Sequence, residues 1–172
     1  MTTLKKLVQG IGCMSEWIGK TICFLNLALV LTITIDVFLR YVFNAPTKWS
    51  YDITYMLGGT LILMSISYVT LHRGHVSIDI VRRRIPTRMG LSIDLLLHVL
   101  LFFPLILVLL YTGTDHALTS IAQREVSDIG FWRPPLYPFR TMIPLAFLLV
   151  FLQGVANFVQ DALALAGRSE DL

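Results

Sequence analysis

Four apolar runs, each long enough to cross a bilayer, take up most of this chain. A span needs about 20 mainly apolar residues to cover about 30 Å of hydrocarbon. The runs lie approximately at residues 15–43, 49–72, 87–121 and 138–166, and short connections join them. Only 15% of the 172 residues are charged, against about 25% in an ordinary soluble domain. The pattern predicts an all-α integral membrane protein of four transmembrane helices, with residues 1–172 forming a single transmembrane domain. A separate catalytic or binding domain would not fit.

Lys5 and Lys6 precede the first run, as in a secretory leader. The run from Trp17 to Tyr41 is too long for a leader's apolar region and lacks a small-residue cleavage site, so it reads as a retained span. The turn Asn44-Ala45-Pro46-Thr47 ends it, and Thr47 or Ser50 is the expected cap of the second helix. After His72 comes a basic connection, closed by Ile85-Pro86-Thr87. Its alternating Val76–Val81 segment suits a short interfacial segment on the cytoplasmic surface better than a lone strand. Pro104 is expected to bend the third helix, and Pro144 lies inside the fourth. The charged end Arg168–Leu172 looks like a free terminus.

Lys and Arg in short loops set the orientation. With four crossings, Lys5, Lys6, Arg73, Arg82, Arg83, Arg84, Arg88 and Arg168 share one side, and Arg40, Lys48, Arg124, Arg133 and Arg140 the other. Eight against five places both termini in the cytoplasm. Retention of positive charge, with contacts from Arg82, Arg83, Arg84 and Arg88 to lipid phosphates, accounts for the arginine cluster without nucleic acid.

Few residues could carry chemistry. Asp36 and Arg40 are four apart and share a helix face. They read as a paired charge fixing helix rotation rather than an ion path, since an unpaired charge in hydrocarbon is expensive. Asp94 and His98 repeat the spacing and read as a structural hydrogen bond rather than a proton relay. Cys13 and Cys23 match no metal or redox spacing. Four histidines raise an alternative, the membrane anchor of a b-type cytochrome or redox complex, in which His72 and His98 are the one conceivable haem pair. A self-sufficient transporter should show internal repeats or helices broken near the midplane. The sequence has no such repeat, so it reads as a non-enzymatic subunit serving another protein, with no cofactor of its own.

The residues also resemble a known family. Arg40-Tyr41-Val42-Phe43-Asn44, followed by Pro46 and Trp49, is similar to a segment of the small membrane subunit of tripartite ATP-independent periplasmic (TRAP) transporters. Asp52 keeps one charge where that family commonly has two glutamates. Gly74-His75-Val76-Ser77-Ile78-Asp79 resembles its segment after the second helix. Glu125-Val126-Ser127, the prolines before Arg140, Pro144 and Leu152-Gln153-Gly154 complete the likeness, which spans about Trp17 to Ala166. The resemblance implies a scaffold in the bacterial inner membrane. Its partners would be a large elevator-type subunit coupled to sodium and a periplasmic binding protein delivering organic acids or similar small solutes. It implies that Arg40, Asn44, Trp49 and Asp52 order the outer hairpin, and that His75, Asp79 and Arg82 organise the cytoplasmic connection. Glu125, Ser127 and Arg133 would stand where the binding protein docks.

Overall fold

A computed structural model describes the backbone of residues 2–72, 87–128 and 132–165, and the same side chains except those of 2–8, 87 and 88. Five α-helical elements make four spans: α1 (Thr2–Val42), α2 (Ser50–Leu71), α3 (Thr87–Leu97) continuing through a π-helical turn (His98–Phe102) into α4 (Phe103–Gln123), and α5 (Tyr137–Leu165). All four are long and apolar enough to cross a membrane. The expected interfacial segment, with His75, Asp79, Arg82, Arg83 and Arg84, lies outside the described residues, as does the Arg88 side chain.

α1 starts earlier than expected. The helix runs back from Ser15 to Thr2 and has 41 residues, about 62 Å at 1.5 Å per residue. It is therefore about twice as long as the hydrocarbon is thick. α2 begins after Trp49, which makes no side-chain capping bond, so neither Thr47 nor Ser50 caps it. The bend expected at Pro104 takes the form of the π turn. Proline has no N–H and its ring crowds the carbonyl four residues back. The turn ahead of it widens, and the Phe103 N–H donates to the His98 carbonyl five residues earlier.

The helices stand in a row that bends enough for α1 to touch α5 as well as α2. α1 packs on α2, α2 on α5, and α5 on the third span. An aromatic ring lies over a glycine at each seam. A Cβ added to Gly19 would fall 2.1 Å from the Tyr68 ring, one at Gly59 2.6 Å from Phe139, and one at Gly154 2.1 Å from Phe102. Small residues let membrane helices approach closely where no hydrophobic effect drives them together. Gly58, beside Gly59, has open space instead. An apolar cluster of Ile22, Met64, Ala146 and Leu149 fills the middle of the α1–α2–α5 contact.

The ends of the row differ. The loop end carries the turn before α2 and the segment between α4 and α5; the base carries Ser15, Ser67 and Asn157. Long apolar side chains of α1 and the third span, such as Phe24, Leu27, Leu100 and Val108, point away from the chain. Threonines on these exposed surfaces return their hydroxyls to the carbonyl four residues back, as Thr32, Thr34 and Thr114 do, which satisfies them without water. Tyr41, Tyr51, Trp132 and Tyr137 are exposed at the loop end, as in an interfacial aromatic belt.

Candidate functional site

Asp36 closes the hairpin between α1 and α2. Its carboxylate accepts from Arg40 Nη2 at 2.6 Å, from the Thr47 N–H at 3.3 Å and from the Thr47 hydroxyl. The turn between them needs a left-handed residue, which Asn44 supplies at φ 54°; asparagine tolerates that region better than most side chains. The Ala45 N–H then reaches the Leu39 carbonyl at 3.2 Å. Arg40 and Asn44 thus work in the hairpin, with Thr47 as a partner the sequence reading did not assign. Trp49 takes part through its backbone, receiving the Ile53 N–H at 3.2 Å.

Asp52 goes elsewhere. It is buried in the first turn of α2, where a carboxylate meets the positive end of the helix dipole. Its Oδ1 accepts from the Ser127 hydroxyl at 2.6 Å, tying the outer loop to α2. The loop begins with a Schellman motif: the Glu125 N–H donates to the Ser120 carbonyl and the Arg124 N–H to that of Ile121. Arg124 holds the left-handed position at φ 48°, where glycine is usual. The chain then pairs with itself. Ser127 N–H donates to the Pro134 carbonyl and Leu136 N–H to that of Glu125, each at 2.8 Å. Arg140 Nη2, in the first turns of α5, donates to Glu125 Oε1 at 2.5 Å.

These bonds separate the three residues expected to dock a binding protein. Ser127 is buried and its hydroxyl is engaged by Asp52, so it offers no surface to a partner. Glu125 is half-buried and paired with Arg140. Arg133 is exposed, again in a left-handed conformation at φ 48°. Arg124 and Trp132, which the sequence reading passed over as docking residues, are exposed as well.

The base holds a site that sequence reasoning missed. The Ser15 hydroxyl lies 3.1 Å from that of Ser67 and donates to Gln153 Oε1 at 3.0 Å. Gln153 Nε2 donates to Asn157 Oδ1 at 3.1 Å, and Asn157 Nδ2 to the Thr70 carbonyl at 2.8 Å. Ser15, Ser67 and Gln153 are almost wholly buried. This ladder joins α1, α2 and α5 by neutral hydrogen bonds, the kind that holds helices together in lipid. A signal was available: Gln153, Asn157 and Asp161 follow one another at intervals of four along one buried face of α5, with Ser67 and Thr70 three apart on α2.

The histidines of the haem alternative turn back to their own helices. His72 Nδ1 lies 3.1 Å from the Tyr68 carbonyl, and His98 Nδ1 2.9 Å from that of Asp94. Asp94 and His98 therefore meet through the backbone carbonyl. α5 stands between the helices that carry His72 and His98.

The polar groups thus form two layers, a ladder at the base and closed loops at the other end, in a frame of apolar helices. The family model for the DctQ component of tripartite ATP-independent periplasmic transporters matches residues 29–164. The chain belongs to this family. It is thus a small component of a TRAP transporter, a multi-pass membrane protein. The matched region takes in the hairpin, the outer loop and all of the ladder except Ser15. A tripartite transporter supplies a small component with two partners, a large membrane component and a binding protein. A comparison with curated proteins returns no match.

Proposed function

We propose that this small component is the static frame of its transporter. It would hold the fixed part of an elevator-type large subunit while sodium-driven, binding-protein-dependent uptake of organic acids or similar small solutes proceeds there. The reading places the chain in the bacterial inner membrane, with both termini cytoplasmic by the arginine count and the loop end facing the periplasm. The observation that carries it is the segregation of polar groups. The base ladder and the loop-end carboxylates are separated by the Ile22, Met64, Ala146 and Leu149 cluster, while the flanking helices turn apolar surface outward. Such a frame is internally cross-linked at both ends and apolar around its sides. It resists being dragged along when a neighbour moves.

Docking of the binding protein is assigned to Arg124, Trp132 and Arg133 rather than to Glu125 and Ser127. Exposed charges at the rim of an interface act mainly on association rate. The double substitution Arg124→Glu with Arg133→Glu should raise the binding-protein concentration needed for half-maximal uptake several-fold in proteoliposomes. Assembly with the large subunit should be unchanged. Uptake with the same dependence on binding protein would remove this surface from the docking site.

A further inference from the structure

A cleft of about 380 Å³ opens between α2, α4 and α5 toward the loop end. Its volume falls in the range of small-molecule sites, about 300–1,000 Å³. Its lining is graded along the helices. Arg140 and His116 stand on the side nearer the loops, and Leu109, Gly113, Ile143 and Phe147 continue it toward the middle of the spans. Gly113 keeps the floor flat, since a Cβ there would come within 3.3 Å of Ile143 Cγ2.

The depth of these two side chains follows from the helices. Arg140 lies three residues inside the start of α5 and His116 seven residues before the end of α4, within about one to two turns of the loop-end surface. Arg140 gives one Nη to Glu125, and a guanidinium has further N–H donors in a fixed fork. His116 is exposed and has no hydrogen-bond partner among the described residues. Donors at headgroup depth above an apolar channel match one kind of molecule: an anionic or zwitterionic headgroup carrying an acyl chain.

We propose that this cleft binds one glycerophospholipid from the loop-end leaflet. Its phosphodiester sits on Arg140 and His116, and one acyl chain lies over Gly113 between Leu109 and Phe147. Arginine suits a phosphate because its fork matches the oxygen geometry. The pairing of Arg140 with Glu125 leaves the rim rich in donors but with little net charge, so the phosphodiester is recognised whatever headgroup it carries. A lipid seated here would fill the gap between α4 and α5 and continue the frame's surface. The inference does not rest on the transporter reading.

The test is native mass spectrometry of the full chain released from nanodiscs made with phosphatidylglycerol or phosphatidylethanolamine. The expected result is one retained phospholipid in either lipid. His116→Ala should lower retention several-fold. Leu109→Trp, which fills the channel and replaces neither Arg140 nor His116, should abolish it for both headgroups. Arg140→Gln serves as a further variant, read only where the protein's thermal stability is unchanged. Retention that survives both His116→Ala and Leu109→Trp would overturn the proposal, as would retention of detergent in place of phospholipid. The same measurement on the complex with the large component must keep the lipid. Its displacement there would make the cleft a protein interface and overturn the assignment.

Discussion

The inner pair of helices and the flanking pair follow opposite rules. The most apolar windows of α1 and of the third span have mean hydropathies of 2.4 and 2.7, yet only 6% of each is buried within the chain. Those of α2 and α5 are less apolar, at 1.4 and 2.1, and are 17% and 39% buried. Four of the five buried residues of α2 are polar: Ser50, Asp52, Ser67 and Thr70. In water the most apolar helix would be the most buried. In a bilayer the lipid already accepts apolar surface, so burial goes to residues that need a hydrogen-bond partner or a close contact. The inner seam is therefore the specific part of the molecule, and the flanks are the adaptable part.

Substitutions can break or sharpen this contrast. The largest effect is expected at Gly154, where Phe102 leaves no room for a side chain. Gly154→Leu should destabilise the chain in detergent by about 3 kcal/mol, the upper end for overpacking. Adding Phe102→Ala should recover much of the loss, and failure to recover it would mean that the ring-on-glycine contact is not what holds that seam. Next comes Gln153→Leu, which removes the acceptor of Ser15 and the donor to Asn157. The expected cost is about 1–2 kcal/mol, since interhelical hydrogen bonds in membranes average about 0.6 kcal/mol with a maximum near 1.7. Thermal unfolding of the purified variant checks it. The smallest effect should come from Leu100→Ala on the exposed flank, within about 0.5 kcal/mol for the isolated chain. A large loss there would show that the flank is structured by more than lipid.

The contrast also explains what the sequence could reveal. Span number and helical class follow from hydropathy, because any bilayer helix must be apolar on its outside. The Asp36–Arg40 pair was legible from its spacing, being local to one helix. Asp52 stands in the first turn of α2 as expected, but its partner Ser127 was not legible, because it lies in a loop far along the chain. The same contact takes Ser127 out of any docking surface. The Ser15–Gln153 bond joins the first and last spans, and helical periodicity cannot reveal such a pairing. The early start of α1 was missed for a local reason. Gly10 and Gly12 weaken a helix by propensity, but Gly12 packs beside Leu71 and the helix continues.

The proposal that this chain is a frame and not a conduit is tested most directly by reconstituted uptake. Liposomes holding this chain alone, the large component alone, or both should be compared with binding protein and a sodium gradient present. The account predicts binding-protein-dependent uptake only when both components are present. Solute uptake by this chain alone would contradict it.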